Sequence, residues 1–303
     1  MNELYNMQLN ARMKSVFLQI FLLLCGIQVW SQSDRLDSLL NDVLGNDREI
    51  RKFLNPPSSF CYLYGTIAGD SKTYYAGREL GDDMVSVNGS LYFMHSFGFF
   101  IGASGSWYSQ FDPAYGTTIT STGINRAINH KNNLAFRASY SRYFYHSADA
   151  ETAYRYNNNI GTGLTWKSKW IGGRLSVNLL FGHDFGMNIT PNVFSRIPLV
   201  RFGKYNKIQI EPELSAFIGA ETIESASTGN DNGQISGTQT ETITEDVYGL
   251  LNTNFYLPVC LYIGDFDLEL GYSLNIPTTQ EKSISYPVSS FFSVSLGYML
   301  PLN

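Results

Sequence analysis

The sequence predicts an all-β fold: a closed antiparallel transmembrane β-barrel of about twelve strands, preceded by a signal peptide and a short amphipathic helix. Three observations predict it. Beyond residue 58 the chain alternates apolar and polar residues in stretches of about 10 to 14, longer than the 5 or 6 usual in globular sheets and suited to a tilted membrane strand. The 303 residues hold 20 Phe, 20 Tyr and 27 Gly but are only 16% charged, against about 25% in soluble domains. The connections between the alternating stretches are by turns short and long, as in membrane barrels.

Residues 1–31 read as a leader and signal peptide. Lys14 precedes the apolar run Val16 to Ile27, and Val29-Trp30-Ser31 places a small residue before Gln32, the expected cleavage point near Ser31-Gln32. Met13 is the start from which this pattern begins. The run is short for a helical span of about 20 residues. Lipid attachment at Cys25 is disfavoured, because bulky Leu24 precedes it. Mean hydropathy is −0.13, which excludes a bundle of apolar membrane helices.

Residues 32–57 read as a periplasmic amphipathic helical segment. Leu36, Leu39, Leu40, Val43 and Leu44 recur at helical spacing, opposed by Asp34, Arg35, Asp37, Asn41 and Asp42. Gly45-Asn46 interrupts the pattern, Asp47 caps a second turn, and Pro56-Pro57 ends it. Such a segment would cover the lower opening of the barrel, or act as a plug or docking arm.

The barrel itself is assigned to residues 58–303. Its strands are expected near 59–70, 84–94, 97–110, 116–127, 132–146, 153–167, 171–183, 193–203, 206–223, 244–258, 263–277 and 287–302. The alternation is clear where Leu134, Phe136, Ala138 and Tyr140 oppose Arg137, Ser139 and Ser141. It is equally clear where Leu175, Val177 and Leu179 oppose Arg174, Ser176 and Asn178. Ile208, Ile210 and Leu214 likewise oppose Gln209, Glu211 and Glu213. Tight turns are expected at Met94-His95-Ser96, Ile128 to Lys131, Lys167 to Trp170, Gly203-Lys204-Tyr205 and Val259 to Tyr262. Longer loops are expected at Ser71–Asp83, Asp184–Asn192, Ile223–Ile243 and Pro277–Tyr286, with Ile223–Ile243 the mobile outer loop. Ten strands are the alternative, since 116–127 is mostly Thr, Ser and Gly, and 193–203 is short and contains Pro198. Tyr143, Phe144, Tyr145, Tyr154, Tyr156, Trp166, Trp170, Tyr256, Tyr262 and Tyr298 gather near strand ends, where interfacial girdles sit.

The last strand carries a polar residue, a glycine two on, and apolar residues at alternate positions: Ser295, Gly297, Leu300 and Leu302. It resembles the C-terminal insertion signal of outer-membrane proteins, with Pro301 and the absent terminal aromatic as departures. With the leader and the paired prolines, the mature chain resembles uncharacterised, porin-like outer-membrane β-barrels of Gram-negative bacteria. That resemblance implies the outer membrane of a Gram-negative bacterium as location. It also implies outer-membrane lipid and the barrel-insertion machinery as partners.

Few residues suggest catalysis, and no enzymatic role is expected. His95, His130, His146 and His183 show no metal-ligand spacing, so no metal and no cofactor are expected. The outer-membrane phospholipase family uses Ser, His and Asn on the outer wall. Here His146 and Ser147 are adjacent, so pleating points them to opposite faces. Net charge is −5 with no Lys/Arg cluster, against a nucleic-acid partner. The chemistry lies in charges expected to face the lumen: Arg137, Arg155 and Arg174 on successive strands, then Glu211, Glu213, Asp267 and Glu269. They make either a constriction whose transverse field selects solutes or a salt-bridge network that fills the interior. Three functions follow in order of expectation. The first is a narrow channel or small-solute transporter with a charged lumen. The second is a closed structural or partner-binding barrel acting through its outer loops or N-terminal helix. The third, disfavoured, is a lipid hydrolase.

Overall fold

A computed structural model describes residues 61–79, 83–112, 114–129, 133–146, 156–202, 206–228, 240–280 and 285–302. The expected signal peptide and amphipathic segment lie outside the described residues, as do His130, Ser147, Tyr154, Arg155 and the turn at 203–205.

β1 (Cys61–Asp70) is followed by a small hairpin, β2 (Tyr74–Tyr75) and β3 (Arg78–Glu79). The chain returns as β4 (Ser86–His95), and then strand follows strand: β5 (Phe99–Tyr108), β6 (Tyr115–Ala127), β7 (Leu134–Tyr145), β8 (Tyr156–Lys167) and β9 (Ile171–Gly182). β10 (Phe185–Ser195) continues into β11 (Ile197–Phe202) as one bent stave, and β12 (Asn206–Ile210) continues into β13 (Glu213–Thr228) as the next. β14 (Thr240–Ile263), β15 (Phe266–Pro277) and β16 (Ser289–Leu302) complete the chain. The two bends have a covalent cause. Pro212 has no N–H, so the path between Ile210 and Glu213 leaves the ladder. Ser195 N instead donates to the Pro212 carbonyl at 3.0 Å, and Glu211 N to that of Pro258 at 3.1 Å.

Each stave pairs antiparallel with its neighbours in sequence, and β1 pairs with β16 from Cys61↔Leu302 to Asp70↔Ser293. The sheet is thereby a closed ring of twelve staves, with β11 and β12 reaching past the rim as a hairpin. The ten-strand alternative fails because β6, for all its Thr and Gly, is laddered to both β5 and β7. Cys61 and Leu302 lie at one rim, at the end of the barrel that carries the β4–β5, β6–β7 and β8–β9 connections.

Three connections differ from expectation. Asp184–Asn192 is not a loop. His183-Asp184 makes a tight turn, and β10 pairs with β9 from Phe185↔Phe181 to Ser195↔Ile171. The alternation is present, with buried Gly186, Thr190 and Asn192 between Met187, Ile189 and Val193, but Asn, Gly and Pro disguise it as a loop. Val259 to Tyr262 is not a turn either. β14 continues to Ile263, and the reversal falls at Gly264-Asp265, with Gly264 at φ 59°. Lastly, both ends of Ile223–Ile243 are strand, since β13 and β14 stay paired out to Thr228↔Thr240, and 229–239 lie outside the described residues.

The two faces of the wall settle which medium each meets. Along β9, Leu175 is 47% exposed while its neighbour Arg174 is 8% exposed; on β16, Phe292 is 67% exposed while Ser293 is 7%. The large exposed side chains of the strands are mostly Leu, Ile, Val and Phe, whereas the buried, inward positions are rich in Asn, Ser and Thr and include Arg137 and Arg174. A Leu or Phe side chain left in water forgoes about 1.5–3 kcal/mol, and a whole belt of them is stable only against hydrocarbon. The outer face is therefore a lipid face, and the dry two-sheet core of a soluble sandwich is excluded.

Candidate functional site

Inward parity decides which side chains meet in the lumen. Arg137 on β7, Arg174 on β9 and Arg196 at the β10–β11 bend project from one arc of the wall. Glu211 and Glu213, flanking the Pro212 bend, and Asp267 and Glu269 on β15 project from the next. All of these line one cavity of about 900 Å³. The six expected charges that lie within the described residues are thus brought together, and Arg155 lies outside them. The belt sits in the half of the barrel nearer the chain ends: Arg137 is three residues into β7, and Arg174 and Glu269 are three residues into their strands.

The carboxylates are held chiefly by phenols. Tyr64 Oη donates to both oxygens of Asp267, at 3.1 and 3.2 Å, and Tyr256 Oη donates to Glu269 Oε1 at 2.5 Å. Tyr262 Oη donates to Glu211 Oε1 at 3.3 Å, and Gln209 Nε2 donates to the same atom. Where the two arcs meet, Arg196 Nε lies 3.4 Å from Glu211 Oε2. The arginines rest on rings: the Arg174 guanidinium carbon is 5.6 Å and that of Arg196 5.4 Å from the Phe194 ring, and that of Arg137 is 5.1 Å from Phe100. A buried carboxylate demands donors and a buried guanidinium tolerates a π face. Within the belt the arginines and the carboxylates thus occupy neighbouring arcs that touch at Arg196 and Glu211.

Gly297 is required beside this belt. A Cβ there would strike the Asp267 carboxyl group and the Tyr64 hydroxyl. The residue singled out in the C-terminal insertion pattern thus also makes room for a lumen pair. In that pattern Ser295 and Gly297 face the interior, whereas Leu302 faces out and is exposed.

Further charge in the lining lies toward the ends of the barrel: Asp70 and Lys72 at the far mouth, and Lys169, Arg201, Lys207 and Asp265 near the rim where the chain ends meet. Tyr62, Tyr64, Tyr92, Met94 and Phe100 form an apolar cluster inside β1, β4 and β5, which fills that side and leaves open space along the charged arcs. Toward the other mouth runs a ladder of amides. Asn159 Nδ2 donates to Asn178 Oδ1 at 3.2 Å, and Asn178 Nδ2 to Asn188 Oδ1 at 2.9 Å. On the facing wall Asn252 and Asn254 both donate to Asn275 Oδ1, at 3.0 and 2.9 Å.

The β2–β3 hairpin leans into that far mouth. Ala76 and Gly77 both have positive φ, 48° and 80°, the signature of a tight primed turn. The Tyr74 ring stacks on Phe291 at 5.1 Å, and Tyr75 meets Phe217 edge-on at 6.4 Å. Arg78 Nη2 donates to the Thr278 carbonyl at 3.3 Å and lies over the Tyr286 ring at 4.2 Å. Lys72 bridges Glu79 and Asp83, which hold its ammonium above the ordinary lysine range.

Sequence reasoning missed Arg196 and the inward tyrosines. Tyr143, Tyr145, Tyr156, Tyr256, Tyr262 and Trp170 line the cavity rather than an outer girdle, while Phe144 and Trp166 do stand exposed outside. Parity carried the signal, since Tyr256 shares its face with Asn252 and Asn254. The histidines stay apart: His95 Nδ1 accepts the Phe97 amide within a turn, and His146 Nε2 meets Thr118 Oγ1 at 3.1 Å.

Twelve staves closed on themselves, apolar outside and charged within, define a membrane-spanning β-barrel with a polar lumen. No family model matches the chain, and no curated protein does. Among solved structures it is similar to the KdgM porin, with a TM-score of 0.43, 10% identity, and 79% of this chain and 98% of that one covered. It is also similar to the NanC porin (0.41, 6%, 78% and 98%). A third is an outer-membrane channel from Pseudomonas putida F1 (0.40, 12%, 80% and 95%).

Proposed function

We propose that this protein is an outer-membrane channel of a Gram-negative bacterium that passes small hydrophilic solutes through a narrow, charged lumen. The observation that carries this reading is the cavity itself. It is lined at one mouth by Lys72, Tyr74 and Tyr75 and at the other by Lys169, Trp170 and Gly264. A single polar passage thus touches both rims. Its belt places an arc of arginines beside an arc of carboxylates, and such charged rings set selectivity in pores. On this reading the outer wall contacts outer-membrane lipid, and Ser295, Gly297, Leu300 and Leu302 address the last strand to the insertion machinery.

Planar lipid bilayers test it. Folded protein gives discrete conductance steps; Arg174→Ala shifts ion preference toward cations, and Glu213→Ala shifts it toward anions. Silent bilayers, from protein that still migrates as a heat-modifiable barrel, overturn the reading. The seated β2–β3 hairpin favours a second one, a barrel closed at the far mouth that acts through its loops. That reading predicts silence in the parent and conductance once the hairpin is unseated.

A further inference from the structure

We infer that the solute class for which the belt is built is the small zwitterion, an amino acid or short peptide whose carboxylate faces the arginine arc and whose ammonium faces the carboxylate arc. This rests on the channel reading and deepens it. The first support is the sorting of charge. Arg137, Arg174 and Arg196 stand on one arc, Glu213, Asp267 and Glu269 on the next, and the Arg196–Glu211 pair at 3.4 Å marks the boundary between them. Phenol donors steady Asp267 and Glu269 in place, from Tyr64 and Tyr256.

The second support is Arg174. It lies in the cavity wall at 8% exposure, its Nε buried without a hydrogen-bond partner and its guanidinium carbon 5.6 Å from the Phe194 ring. Among the described residues no carboxylate pairs with this guanidinium, so a solute carboxylate docked on its cavity-facing terminal nitrogens gains a charge-assisted pair. The third support is the wall beside the belt: β4, β5 and β16 contribute hydroxyls, amides and rings to the cavity and no charge, and the further charges of the lining, Asp70, Lys72, Lys169, Arg201, Lys207 and Asp265, lie toward the barrel ends. A lone anion is drawn to the arginines but repelled by the carboxylates beside them, and a lone cation meets the reverse. A neutral polyol gains nothing from the field. A solute carrying both charges is attracted by both arcs once it lies across the lumen.

Tracer uptake into proteoliposomes made with the full chain tests the inference. Four solutes of similar size are compared: glycylglycine, its N-acetylated anion, its C-terminally amidated cation, and a neutral polyol. Glycylglycine is expected to enter several-fold faster than the other three. In Arg174→Gln the amidated cation overtakes it; in Glu213→Gln the acetylated anion does. If the parent protein passes glycylglycine no faster than the polyol, or passes one singly charged form best, the zwitterion inference falls and the channel stands. If vesicles holding heat-modifiable barrel admit none of the four, the channel reading falls and takes the inference with it.

Discussion

Gly297 shows how finely the lumen is fitted at the scale of single residues. Its missing Cβ leaves the space in which Tyr64 and Asp267 meet, and overpacking at such a point costs about 1–3 kcal/mol. Gly297→Ala should lose stability in that range in denaturant titrations of the barrel in vesicles, and Tyr64→Ala should absorb most of the loss when the two are combined. Strictly additive effects would mean that the two positions do not share this space. At this scale the sequence was legible wherever charge marked a face, because a buried Arg or Glu has no place against hydrocarbon and must turn inward. It was illegible for tyrosine. A phenol suits the lipid interface and the wet interior equally well, so Tyr256 and Tyr262 read as a girdle and turned out to hold Glu269 and Glu211.

Strands were legible for a different reason. Period-two alternation with a lipid face survives almost any inward residue, so twelve strands emerge even where β6 is made of Thr, Ser and Gly. The same tolerance hides strands whose inward residues mimic turns. Asn188 and Asn192, with Pro191 between them on the outer face, made β10 read as a loop, and Pro258 seemed to end β14 five residues early. The outward residues would have corrected both, because Met187, Ile189 and Val193 keep step, as do Val259, Leu261 and Ile263. The lipid face also makes a prediction for β9. Leu175→Arg should cost about 2–4 kcal/mol of folding free energy in bilayers if the residue lies near mid-depth, read from reversible unfolding out of vesicles. An unchanged midpoint would show that Leu175 does not meet acyl chains.

The whole molecule joins a closed ring to a loop that reaches back across it. Tyr74 and Tyr75 place two rings in the far mouth, so Tyr74→Ala combined with Tyr75→Ala should widen the passage and raise single-channel conductance. Conductance equal to the parent's would locate the narrowest point elsewhere, at the charged belt. None of this was legible in the sequence, where Ser71–Asp83 showed only that a longer connection was present. The seat of the hairpin depends on β16, distant in sequence and adjacent only after closure.

That dependence bears on how the molecule is made. Tyr74 rests on Phe291, Ser71 N donates to the Phe292 carbonyl at 2.9 Å, and Arg78 reaches the carbonyl of Thr278. A segment emerging early in synthesis therefore has its berth assembled by the final stretch to be translated. Until the first and last strands zip together, nothing is there to receive it. The docked hairpin is a latch that can drop only behind a finished circle, and once down it spans the seam where an unzipping barrel would first come apart.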